Sequence, residues 1–364
     1  MKSARNNIWL LLFPILGAAA LGLALFSART PLSQSVDTTT LNAADSSPIW
    51  EKDYWETRIV SVGDVDAYQE LGEIIKELPP AKQHTASHIF GAALYEAEGY
   101  SSITVCDTLF QWGCFHEVMG ETLADRGLPI IDTLNKRCTA FVDDIKSEGC
   151  RHSLGHGLLA WFGYSEKNLT EALDACKKYV PNPLPNPLGG CYSGVFMEYS
   201  FRTMSASGEL GSRFVPSKEY YTICYHLADE FRPTCAAQAI QSWIISVPGF
   251  DRNSFSQYGE LCRGFNSNEL IDYCYTGIGN HLPADVSLPP SEVIARCEAA
   301  SSEMIGQLLC RASAAAITRV LNKPASVEIC AGLTEDALTY CSLFAKGEVY
   351  DGKMLDLIPD SIAN

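Results

Sequence analysis

Leu134-Asn135-Lys136-Arg137-Cys138, then a short connection, then Cys150-Arg151-His152-Ser153-Leu154-Gly155-His156: this stretch decides the fold. A helix-forming segment ends on one cysteine and a second helical segment opens on another. The plan recurs, with Ala172-Leu173-Asp174-Ala175-Cys176 in the first role and Cys114-Phe115-His116, Cys191-Tyr192-Ser193, Cys235-Ala236-Ala237, Cys274-Tyr275-Thr276 and Cys310-Arg311-Ala312 in the second. All 14 cysteines fall into seven successive couples: Cys106 with Cys114, Cys138 with Cys150, Cys176 with Cys191, Cys224 with Cys235, Cys262 with Cys274, Cys297 with Cys310, and Cys330 with Cys341. Members of a couple are 8 to 15 residues apart, and successive couples begin every 32 to 48 residues. A period of that size is the mark of stacked helical hairpins. The spacing predicts one disulfide per hairpin, each closing a loop whose constraint is worth about 3 kcal/mol in the chain-entropy model.

In this architecture the chain resembles secreted cysteine-rich helical-repeat proteins of the Sel1/TPR-like type, with one disulfide per hairpin. The resemblance rests on cysteine periodicity over residues 100 to 345 and carries no functional residue with it. The expected fold class is all-α: a disulfide-stapled α-solenoid of about eight helical hairpins behind an N-terminal membrane anchor.

The anchor is read from an uncharged run, Ile8 to Phe26. As a helix it spans roughly 28 Å, close to a bilayer core. Lys2 and Arg5 precede it, which favours an internal N-terminus and an external body. Ala18-Ala19-Ala20 offers small residues for signal-peptide cleavage, so secretion after cleavage is the alternative. Either way the body lies outside the cytoplasm, periplasmic or extracellular, where disulfides persist.

Four segments follow: 1–28 signal-anchor or signal peptide, 29–52 a Ser/Thr/Asp-rich flexible stalk, 53–350 the cysteine-rich helical-repeat domain, and 351–364 a C-terminal tail. A helix from Asp64 and another over Ala81–Glu98 form a cysteine-free first hairpin, suited to capping the stack. Pro181-Asn182-Pro183-Leu184-Pro185-Asn186-Pro187 interrupts the third couple with an extended spacer or recognition element. The formal charge of −16 argues against a nucleic-acid partner.

With the second cysteine of each couple as position zero and 100° per residue, +3, +4 and +7 point toward helix A. Positions +2, +6 and +9 lie opposite, on the expected concave wall. Taking Ala86 as zero in the first hairpin, this wall carries His88, His116, His152, His156, Ser193, Gln241, Thr276 and Asn280. His152 and His156 share one helical face at a spacing that can chelate a metal, and His84 and His88 repeat it. His116 is the candidate third ligand, for zinc, iron or copper. Packed helices stand about 10 Å apart, so three-hairpin coordination requires inward curvature. Gly91, Gly155 and Gly279 at +5, and Gly194 and Gly277 at +3, each cost a helix about 1 kcal/mol. Tight helix packing accounts for +3; at +5 a ligand or partner backbone is an equal candidate. Glu198 is a general acid or base only if it reaches His156, and helical phase assigns it a structural place near helix A.

No phosphate loop, nucleophile elbow or Cys-x-x-Cys pair occurs, so the balance leans away from an enzyme. The first functional expectation is a membrane-anchored binding or scaffold protein whose groove holds a peptide, protein or glycan. A metal-binding protein or metal-dependent enzyme centred on His152 and His156 is the alternative. An envelope structural protein without a dedicated site is the third.

Overall fold

The computed structural model describes residues 47–180, 190–204, 217–246, 252–282, 288–348 and 354–363. The apolar run 8–26, the stalk up to residue 46 and the proline run 181–187 lie outside the described residues. Among the described residues there is no β-strand, and no helix is long and apolar enough to cross a membrane.

In chain order the helices are α1 (Lys52–Val62), α2 (Asp64–Ile75), α3 (Pro80–Glu98), α4 (Gly113–Arg126), α5 (Ile131–Thr139), α6 (Asp144–Phe162), α7 (Glu166–Tyr179) and α8 (Gly190–Phe201). The second half holds α9 (Ser217–His226), α10 (Arg232–Ser246), α11 (Arg252–Cys262), α12 (Asn268–His281), α13 (Pro290–Ala300), α14 (Met304–Leu321), α15 (Lys323–Ile329), α16 (Glu335–Lys346) and the short α17 (Asp360–Ala363). Helices α3, α4, α6, α8, α10, α12, α14 and α16 form one row in which each packs on the next. These are the B helices. Their A partners are α2, α5, α7, α9, α11, α13 and α15, and for α4 the 3-10 turns Gly99–Thr104 and Leu109–Trp112.

All seven couples are disulfide-bonded as the spacing predicts, with Cα–Cα separations of 5.4 to 5.8 Å. That lies within the ordinary reach of the bond. The last of them joins Cys330, just past the end of α15, to Cys341 within α16, with the two Cα atoms 5.7 Å apart. Every cysteine is buried, so each staple sits at an A–B interface, inside a continuous apolar core. Seven such bonds place the body in an oxidising, extracytoplasmic compartment.

The structure corrects several boundaries. In α6, α12 and α14 the cysteine does not open the helix but lies six residues inside it, and Cys341 stands at the same depth in α16. Side-chain caps explain two of these earlier starts: Asp143 accepts from the Lys146 amide and Ser267 from the Leu270 amide. The body begins at Pro48, inside the expected stalk, because Ile49 is buried and its carbonyl accepts from Trp55 Nε1 at 2.9 Å. The expected tail is also part of the body: the Met354 carbonyl accepts from Tyr340 Oη at 2.8 Å, and Ser361 Oγ donates to Asp336 at 2.6 Å.

The glycines set the spacing of the B row. A Cβ on Gly155 would lie 2.0 Å from the Cys191 carbonyl oxygen, and one on Gly194 would lie 1.9 Å from that of His152. Gly277 and Gly279 stand in the same relation to Ala237 (1.9 Å) and Cys310 (2.0 Å). Neighbouring B backbones thus occupy the space at +5 as well as at +3, and a ligand has no room there. Gly194 and Gly155 meet across the α6–α8 crossing, where the Cβ direction of one lies 3.2 Å from the Cα of the other. Gly91 of α3 and Gly157 of α6 likewise stand against α4, where a Cβ would lie 2.9 Å from the Cys114 and 3.2 Å from the Met119 carbonyl oxygen, and this brings side chains from three successive hairpins into mutual contact.

Candidate metal centre

The wall expected to line an open groove is enclosed. His116, His152, His156, Ser193, Gln241 and Thr276 are buried, and His88 and Asn280 are partly buried. The close B-row approach folds the +2 and +6 positions inward on one another instead of leaving them facing solvent.

Five histidines from α3, α4 and α6 gather there. His84, His88 and His116 offer ligand nitrogens within 4.8 Å of one another, and so do His116, His152 and His156. The ring of His116 is the shared member, with centroids 5.3 Å from His84, 5.4 Å from His88, 5.7 Å from His152 and 4.2 Å from His156. Three-hairpin convergence is therefore realised. His84, which spacing pairs with His88 but does not place on the wall, belongs to the centre on equal terms with His88.

The hydrogen bonds fix the protons. His84 Nδ1 lies 3.0 Å from the Phe110 carbonyl and His88 Nδ1 lies 2.8 Å from Glu117 Oε2. His156 Nδ1 lies 2.9 Å from Glu198 Oε2. Each of these partners only accepts, so each Nδ1 carries hydrogen. His152 Nδ1 lies 2.7 Å from Ser193 Oγ, which itself donates to the Gly190 carbonyl at 3.2 Å, so this Nδ1 donates as well. In their neutral form all four rings then present a bare Nε2 lone pair. These lone pairs face each other, His88 to His84 at 3.1 Å and His156 to His152 at 3.0 Å.

Two facing lone pairs repel unless a cation lies between them. A proton within each pair would suffice for those four rings but would leave His116, whose Nδ1 and Nε2 are both buried without a hydrogen-bond partner. An unsatisfied buried polar group costs about 1–3 kcal/mol. An ion in each trio answers all five rings at once. The 3.1 and 3.0 Å separations within the two pairs also suit two ligands of one ion, since nitrogens at ~2.05 Å and roughly a right angle stand ~3 Å apart.

The carboxylates supply the second layer. Burial pushes the Glu198 carboxyl up, but hydrogen bonds from His156, Thr203 and Tyr164 outweigh it and hold the group below the usual carboxylate range. It accepts from Tyr164 Oη and Thr203 Oγ1 at 2.6 Å and from the Met204 amide at 2.9 Å. A fixed anion behind a histidine orients the ring and raises its basicity as a ligand. Burial pushes His116 and His152 well below the ordinary imidazole range and brings His84 to about 3, so these rings stay free to coordinate at neutral pH.

Glu198 is thus not confined to the helix A side. At +7 it lies on the flank facing the preceding B helix, as Glu117 does at +3. The same relation serves both ends of the centre: a glutamate of one B helix holds a histidine of the one before. Reading only an A side and a concave side left this flank unassigned.

The third support is strained backbone. Phe110, Gln111 and Trp112 have φ of 54°, 54° and 62°, an unusual left-handed run for residues with side chains. The run aims the Phe110 carbonyl at His84 and sets the Trp112 ring 5.3 Å from His152. Gly149 makes room for it, since a Cβ there would lie 2.6 Å from Trp112 Nε1. Strain of this kind, held by its surroundings, concentrates at functional sites.

Gln241, Thr276 and Asn280 do not join the five. Gln241 Nε2 donates to His281 Nε2 at 3.1 Å and the Thr276 hydroxyl to the Tyr273 carbonyl at 2.6 Å. Burial lowers His281 to about 4. The unfolded chain then binds a proton near pH 6.5 that the folded chain refuses until about pH 4, so this group's contribution is whole above 6.5 and declines as pH falls. His281→Gln, which keeps an acceptor for Gln241, is expected to flatten the acid-side loss by up to ~1.4 kcal/mol per pH unit. Denaturant titrations at pH 5 and pH 7 read this difference directly.

Comparison of the chain with protein-family models, curated proteins and solved structures found no match.

Proposed function

We propose that this chain is an exported, membrane-anchored metalloprotein whose helical repeats form a solenoid around a five-histidine centre for transition-metal ions. One observation carries the reading: four Nε2 atoms facing in two pairs at 3.1 and 3.0 Å beside a buried His116 whose two ring nitrogens have no hydrogen-bond partner. All-imidazole donors suit zinc, copper, iron or nickel. A peptide, protein or glycan groove would need the +2 and +6 wall open, and six of its eight residues are buried. A purely structural envelope protein would have no use for an orphaned histidine at the meeting point of three hairpins.

The test is metal content of the full-length chain, purified from the membrane fraction without an affinity tag or chelator. Near-stoichiometric transition metal is expected, lost when His84, His88, His116, His152 and His156 are replaced by Gln. Metal-free protein in both, with all seven disulfides formed, overturns the proposal. Recovery only from the soluble fraction, without residues 8–26, would replace anchoring by secretion.

A further inference from the structure

We infer that the centre is dinuclear, with the His116 side chain bridging two ions as an imidazolate: an inner ion on His152, His156 and His116, and an outer ion on His84, His88 and His116. This rests on the proposed metal-binding function and goes further, to the number of ions and the role of one ring.

Ligands of a single ion at ~2.1 Å cannot stand more than ~4.2 Å apart. The five histidines do not form one such set; even at 4.8 Å they divide into two trios that have only His116 in common. An imidazole has two ring nitrogens on different edges. The four outer rings each commit Nδ1 to a carbonyl, carboxylate or hydroxyl and keep one nitrogen for metal, whereas His116 has neither committed. It is the one ring of the five able to serve both trios. Binding of the second ion forms a nitrogen–metal bond and breaks the last N–H bond of His116; the proton leaves to solvent and no electron moves. Positive charge on both sides makes that deprotonation favourable.

The two positions are unequal. Around the inner ion, His152, His156 and Glu198 are buried at 3%, 0% and 0% exposure. At the outer position the His88 and Glu117 side chains keep 13% and 22% exposure. Glu121 stands by Glu117, its carboxyl pushed up by burial and by that neighbour. The outer ion therefore has the solvent-facing coordination position, fit for water or a small ligand, and acidic side chains at its approach. The inner ion is closed off and tunes the outer one through the shared ring.

Copper(II) is the probe. The full-length chain is loaded, freed of loose metal with glycine, counted by mass spectrometry and examined by electron paramagnetic resonance. Two coppers per chain are expected, with signal intensity far below that of two isolated ions because the bridge couples their spins. His84→Ala/His88→Ala is expected to hold one copper at full intensity, and a chelator is expected to remove one ion from the unaltered chain before the other. Two coppers at full intensity, or one copper only, overturns the bridge and leaves the metalloprotein reading standing. A chain that takes up neither copper nor zinc overturns both. Coupling is read on the unaltered chain, so the result does not depend on a variant folding.

Discussion

Gly155→Ala is expected to destabilise the body by about 3 kcal/mol, at the upper end of the range for overpacking. In an isolated helix the same change would gain about 1 kcal/mol. Here the new Cβ would meet the Cys191 carbonyl oxygen at 2.0 Å, and both partners are helix backbone, so neither can rotate away. Helices α6 and α8 would have to move apart. That movement would draw Ser193 from His152 and Glu198 from His156, so loss of the inner ion is expected alongside loss of stability. Gly72→Ala in α2 is the control, since its nearest neighbour is the Phe110 ring edge at 3.7 Å, an ordinary contact. It is expected to stabilise slightly. Denaturant unfolding of the two variants checks both signs, and a Gly155→Ala chain as stable as the original would show that the row does not depend on this approach.

Glu198→Gln is expected to weaken the inner ion by about 10–100-fold, the usual cost of removing an outer-shell partner of a ligating histidine. The carboxylate receives donors from His156, Tyr164, Thr203 and Met204. A glutamine amide would turn two hydrogens toward groups that themselves donate. The His156 ring loses both its anchor and the negative charge that makes it a better ligand. Glu117→Gln should have a smaller effect on the outer ion, because Glu117 is 22% exposed and water can replace part of its role. Competition with a chromophoric chelator measures both. Equal and unchanged affinities would reduce Glu198 to a packing role and remove the two-layer description of the centre.

Cysteine periodicity by itself determined the helical class and all seven disulfides, from Cys106 with Cys114 to Cys330 with Cys341, because each bond closes a loop within one hairpin and needs no distant partner. Local spacing also marked His152 with His156, and His84 with His88, as pairs on single helical faces. The stalk and tail boundaries escaped it: Ile49 and Met354 are buried by contacts made across the fold, and nothing in their neighbours' composition announces this. Capping at Asp143 and Ser267 moved two helix starts by a turn and a half.

The centre itself belongs to tertiary structure. Whether +2 and +6 line a groove or close on each other depends on the distance between consecutive B helices. For the three helices that carry the histidines it is set at Gly91 and Gly157, where a Cβ would lie 2.9 Å from the Cys114 and 3.2 Å from the Met119 carbonyl oxygen of α4. Glu117 and Glu198 became partners of His88 and His156 only because the flank between helix faces is where one repeat meets the next. Sequence carries the donors and their helical phase; only the packed row decides that five imidazoles from three hairpins bring their ring nitrogens together in two trios.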